Sequence, residues 1–174
     1  MDDRYAKSQI IFHWLTLVMV ILTYTAMLLK DSVPDEYVAL VKQLHFNFGI
    51  SVFVLMFIRL GLRHVHKAPP ITPPLEPLQA LGAAVFHWAL YLLFLVLPLL
   101  GMLSVVYGGK DLILLGWQVP QLVSPNPQTG HFLKEIHELL ANTGYFIIGI
   151  HALAALYHHY FRGDNTLRRM MPGK

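Results

Sequence analysis

Residues 135–161 read EIHELLANTGYFIIGIHALAALYHHYF. From Leu139 to Phe161 the stretch runs 23 residues without Asp, Glu, Lys or Arg. As a helix rising 1.5 Å per residue it is long enough to cross a hydrocarbon core of about 30 Å. His137 and His151 stand 14 residues apart in it. At about 100° per residue that separation is within about 40° of whole turns, so both imidazoles leave one face, roughly 21 Å apart along the axis. Gly144 lies midway between them and in phase with both. Ionisable groups inside a membrane bundle are costly and mark function by default, so this helix decides both the architecture and where to look for chemistry.

The rest of the chain agrees with a membrane setting. Of 174 residues, 55% are hydrophobic and 13% charged, against about a quarter charged in soluble domains. Three more apolar segments accompany the first, and the expected helices run over about 5–29, 37–62, 78–106 and 133–161. The fold class is therefore all-α, an integral membrane four-helix bundle in a single domain covering 1–174. The second span takes in Lys42 and Arg59 near its ends, where long basic side chains snorkel to the interface. The first span is too long for a signal-peptide core and has no small-residue cleavage site, so it reads as a retained helix. The chain has no Cys, which excludes disulfides, iron–sulfur ligation, thiolate zinc and thioether haem attachment together.

Four spans put both termini on one side. That side carries Arg4, Lys7, Arg59, Arg63, Lys67, Arg162, Arg168, Arg169 and Lys174, and the other carries Lys30, Lys42, Lys110 and Lys134. By the positive-inside rule the termini are cytoplasmic. Between spans two and three, APPITPPLEP (68–77) reads as an extended proline-rich spacer. Between spans three and four, residues 107–132 hold three prolines and DLILLGW (111–117), either a short lid in the interface plane or a partly ordered loop.

Depth pairs the histidines. The first helix enters and the fourth leaves at the cytoplasmic side, so His13 and His151 share a level. His45 opens the second helix and His137 the fourth, both toward the outer side. Two stacked haems, each with one axial ligand from the last helix, suit this arrangement, with Gly144 letting the macrocycles approach the backbone. His87 competes with His13 by depth; its alternative is a hydrogen bond in the bundle or near a propionate. His158, one face-turn beyond His151, is placed for proton traffic or quinone contact, or is an interfacial histidine without a role. Lys42 and Lys134 each precede an outer histidine by three residues and share its helix face. They either pair with propionates or form an electropositive mouth for a small anion, with His131 nearby.

These residues resemble the bacterial cytochrome b561 family, and within it the short stand-alone members that act as superoxide oxidases. The resemblance is carried by KSQIIFHW (7–14), KQLHFNFGISVFVLMFIRL (42–60), PLLGM (98–102) and EIHELLANTGYFIIGIHALAALYHHYFRGDNTLRRMMP (135–172). It implies two b haems, one on His13 and His151 and one on His45 and His137. It implies electrons passing from superoxide outside to ubiquinone in the membrane, with lipid the surrounding partner, no nucleic acid and no obligate protein partner. The quinone is then expected on the cytoplasmic side near His87 and His158, with a site beside the outer haem as the alternative. The alternative is a b-type electron-transfer subunit docked to a separate dehydrogenase or hydrogenase.

Overall fold

The computed structural model describes residues 4–121 and 123–173; Lys174, one of the nine basic residues assigned to the terminal side, lies outside them. Four long helices dominate: α1 (Lys7–Leu29), α2 (Asp35–Val65), α3 (Pro77–Tyr107) and α4 (Pro127–Tyr157). All four are long and apolar enough to cross a membrane. The 31-residue helices α2, α3 and α4 extend about 46 Å at 1.5 Å per residue, so their ends project beyond the hydrocarbon. α1 lies along α2 and α3 along α4, and the two helical hairpins meet chiefly through α2 and α3. Val20, Val52, Met56 and Tyr91 form the buried core at that seam, flanked by Phe94 and Ile148. Large apolar side chains such as Phe146 and Leu153 face outward, as they do where the solvent is lipid.

The helix starts follow local chemistry. α2 opens with Asp35 and Glu36 in its first turn, where carboxylates meet the positive end of the helix dipole. α3 begins with Pro77 at its first position, where the missing N–H costs nothing. α4 starts at Pro127, six residues before the expected boundary at 133. Asn126 caps it by accepting the Thr129 N–H at 3.1 Å, so Pro127, counted with the connection 107–132, is instead a helix opener.

Within 107–132 the structure resolves the choice between lid and loop as a third form. Strands β1 (Leu112–Leu114) and β2 (Trp117–Val119) pair antiparallel. Leu115 (φ 50°) and Gly116 (φ 84°) form the turn between them, both in the left-handed region that two-residue hairpin turns use. The hairpin is tied to α2, since Gln43 donates to the Ile113 carbonyl and the Leu115 N–H donates to Asn47 Oδ1 at 2.9 Å.

At the opposite end the polypeptide closes on itself. α4 passes through a π-helical turn (His158–Arg162) into Gly163 at φ 68°, and the tail folds back. Trp14 Nε1 donates to the Met170 carbonyl at 2.8 Å, Tyr5 N–H to Arg169 at 3.1 Å and Asn165 N–H to Thr72 at 3.2 Å. The first residues described, the proline-rich 68–76 segment and the tail therefore share one end. Arg59 departs from expectation here. Its side chain turns into the bundle and approaches His13 instead of snorkelling outward.

Reporter fusions check the sidedness. Fusions within 68–77 are expected to behave as cytoplasmic and one at Ser124 as external, because the basic residues crowd the linker end. The reverse pattern would exchange the two faces.

Candidate functional site: two histidine pairs

The toward-hairpin pair is His45 on α2 and His137 on α4, with ring centres 6.1 Å apart. His45 Nδ1 lies 3.0 Å from the Thr23 carbonyl and His137 Nδ1 lies 2.9 Å from the Leu97 carbonyl. A carbonyl only accepts, so each Nδ1 carries the proton and each Nε2 keeps its lone pair. Metal-bound histidines are commonly fixed in this way by a second bond to the other nitrogen. A metal between two imidazole nitrogens at about 2 Å each places the ring centres about 6 Å apart, which is the spacing seen.

This pair borders a cavity of about 1020 Å³ that also touches Gly49, Gly101, Tyr24 and Tyr145. A Cβ on Gly101 would stand 3.2 Å from His137 Cε1, so the PLLGM glycine is what lets α3 pass the imidazole. Among the described residues no group of three or more His, Cys, Asp or Glu side chains forms a bare metal site. Two opposed imidazoles instead suit a metal whose remaining positions a macrocycle fills, and the cavity supplies the room. The residues present therefore fit a haem.

The second pair lies toward the tail. His13 and His151 have ring centres 6.5 Å apart, again near the spacing for a shared metal. His87 stands closer to His151, at 5.3 Å, with its Nδ1 2.5 Å from its own helix carbonyl at Ala83. The cluster is thus three histidines from three helices, and His87 is as near to it as the sequence allowed.

Gly144 lies against a tyrosine. The space above it holds the Tyr24 phenol, whose oxygen would be 2.4 Å from a Cβ there and which donates to the Ala141 carbonyl at 2.9 Å. The missing side chain leaves room for an aromatic ring inserted between the two pairs.

Lys42 and Lys134 line the cavity beside His45 and His137, and His131 joins them. Sequence reasoning missed two more, because Lys30 and Lys110 line it too, although both are far from the histidines along the chain. All four lysines of that side therefore border one opening. Lys134 Nζ pairs with Glu138 at 3.0 Å and Lys30 with Asp31 at 3.3 Å. Among the described residues Lys42 and Lys110 have no carboxylate partner.

His158 sits in the tail turn with Nδ1 2.5 Å from Asp164 Oδ2. Asp164 is 1% exposed, and its other oxygen accepts the Thr166 N–H at 2.8 Å. Burial pushes its carboxyl pKa upward, but the bonds from His158 and Thr166 outweigh that and hold it below the usual carboxylate value. The dyad was not legible beforehand, since only the left-handed turn at Gly163 brings residue 164 back onto residue 158.

Comparison with known proteins follows the same outline. Residues 4–173 match the profile of prokaryotic cytochrome b561. The chain is 46% identical over 172 residues to cytochrome b561 homolog 1 of Escherichia coli K12, covering 98% of each chain. It is 41% identical over 174 residues to probable superoxide oxidase CybB of Yersinia pestis, covering 100% of this chain and 99% of that one. Cytochrome b561 homolog 2 of Escherichia coli K12 is 28% identical over 172 residues, covering 97% and 92%.

Proposed function

Because this chain belongs to the prokaryotic cytochrome b561 family, as a b-type cytochrome of the bacterial inner membrane, we propose that it oxidises superoxide at its outer face and reduces ubiquinone. The balance is two superoxide anions giving up one electron each and leaving as oxygen, while ubiquinone takes two electrons and two protons. The observation that carries the reading is the outer cavity, in which an opposed histidine pair lies beneath a rim of four lysines. A relative named probable superoxide oxidase, 41% identical over the whole chain, supports it.

Two b haems are assigned, one to His45 and His137 and one to His13 and His151. Such haems would supply one-electron transfer, held by His45 and His137 and by His13 and His151. The protein's own residues do the rest. The Thr23 and Leu97 carbonyls fix the tautomers of His45 and His137. Lys42 and Lys110 raise the local concentration of a small anion at the mouth, and Lys134 contributes less because Glu138 neutralises it. Gln43 and Asn47 hold the hairpin at α2 beside that mouth. His87 and His158 are assigned to the quinone at the tail end, where Asp164 orients His158 and leaves its Nε2 to hold or pass a proton.

The test is the rate at which superoxide reduces the purified protein, followed by its visible spectrum. That rate is expected to exceed the rate for a neutral donor of similar potential and to fall with salt, since charges screened over about 8 Å at physiological ionic strength act only near the mouth. Changing Lys42 and Lys110 together to Gln is expected to slow superoxide about tenfold, the low end of electrostatic steering, with haem content and reoxidation by quinone unchanged. Superoxide reacting no faster than the neutral donor would favour the subunit that docks to a separate dehydrogenase.

A further inference from the structure

Arg59 lies on α2 six residues before its end at Val65, half-buried among α1, α2 and α3. Its Nη2 is 3.1 Å from His13 Nδ1 and its Nη1 is 3.9 Å from Met56 Sδ. The guanidinium carbon stands 5.9 Å from the Tyr91 ring centre. Among the described residues no carboxylate pairs with it. Neighbouring arginines are better provided for. Arg63 lies 5.6 Å over Trp88, Arg169 lies 5.3 Å over Tyr5 and donates to the Pro69 carbonyl, and Arg162 reaches Glu76 at 4.0 Å. A guanidinium stays charged and only donates. Held against a ring nitrogen, a thioether and an aromatic face, this one lacks the anion that a buried charge requires.

Its contact with His13 sharpens the point. A donor facing Nδ1 makes that nitrogen the acceptor, so the neutral ring carries its proton on Nε2 and has no lone pair there. His45 and His137 show the opposite order, with Nδ1 donating and Nε2 free. If His13 takes a metal through Nε2, its proton moves to Nδ1, two donors then face each other, and Arg59 has to leave.

We propose that Arg59 is the counter-charge of the haem held by His13 and His151, its guanidinium passing from His13 Nδ1 to a haem carboxylate when that haem binds. This rests on the assignment of those two histidines as ligands. The carboxylate is the partner that Arg59 lacks among the described residues, and the exchange frees His13 to take the ligating tautomer. A cation beside the haem favours the reduced iron, which carries less positive charge, so Arg59 raises the potential of that haem alone.

Spectroelectrochemical titration of the full-length holoprotein tests it, with haem counted per chain. Arg59→Gln is expected to lower the midpoint of one haem by at least 59 mV, a tenfold change in a one-electron equilibrium, and to leave the other in place. Arg59→Lys keeps the charge and is expected to recover most of the shift, and Arg162→Gln to change neither midpoint. Loss of that haem in Arg59→Gln, restored by Arg59→Lys, is the same result in stronger form; loss that Lys does not restore overturns the proposal. A second arm uses full-length protein made without haem, titrated with haemin and with its dimethyl ester. Wild type is expected to prefer haemin at this site at least tenfold and Arg59→Gln to show no preference. Unchanged midpoints in Arg59→Gln, or equal binding of acid and ester by wild type, would sink the idea. Retention of both haems by His13→Leu would instead fault the ligand assignment, a separate failure.

Discussion

His137→Leu and His45→Leu are each expected to take the same haem from the protein, reducing two per chain to one, while His13→Leu and His151→Leu each take the other. Pyridine haemochrome assay with the low-temperature spectrum of the residual haem measures it. The expectation follows from geometry: opposed rings 6.1 Å apart and 6.5 Å apart are each spaced for one shared metal, and leucine offers a metal no electron pair. Bound haem stabilises the fold that binds it, so the yield of each variant is expected to fall as well. His64→Leu and His66→Leu, at the linker end of α2, are expected to keep both haems. His87→Leu is the informative control, since His87 lies 5.3 Å from His151. Should it lose a haem while His13→Leu keeps two, His87 is the ligand and His13 the neighbour.

The second large effect is on stability. Gly130, in the first turn of α4, meets α3 where a Cβ would lie 2.7 Å from the Gly108 nitrogen and 3.0 Å from both Gly108 Cα and the Ser104 carbonyl. All three neighbours are backbone, so none can rotate aside and the helices must part. Gly130→Val is expected to cost about 3 kcal/mol, the upper part of the range for overpacking, and to loosen His137, seven residues along the same helix. Gly149→Ala makes the contrast on that helix, because nothing lies within 4 Å of its Cβ position and alanine is the better helix former. Thermal unfolding in detergent, followed through the haem absorbance, is expected to show a large fall for the first and none for the second. Equal midpoints for the two variants would mean that α3 and α4 do not meet at Gly130.

The four helices and the two histidine levels were legible because they depend on periodicity and length, which the chain carries locally. Uncharged runs set the spans, and 14 residues set the phase of His137 and His151. What escaped depends on how separate segments meet. The Leu115–Gly116 turn lacks the Asn-Gly signal of a tight hairpin, and its strands hold through Gln43 and Asn47 on another helix. The early start of α4 rests on Asn126 acting as a cap, which is visible only when Pro127 is taken as a first position. Arg59 was placed outward by a rule about long basic side chains; tertiary contact with His13 and Tyr91 turned it inward. The Asp164–His158 dyad needs a left-handed glycine whose effect cannot be seen in spacing, and Lys30 and Lys110 reach the cavity only through the fold.

Each histidine pair draws one member from the α1–α2 hairpin and the other from α4, across the seam where the two halves meet. A nascent chain delivers the first hairpin to the bilayer well before the last helix arrives, and at that stage His13 and His45 face no partner. On the proposed ligand assignment, cofactor loading follows insertion of the final segment. With the proposed pairs as ligands, each iron would act as a rivet between two halves made in sequence, and a ribosome stalled before α4 would leave a product without His137 and His151 to hold it.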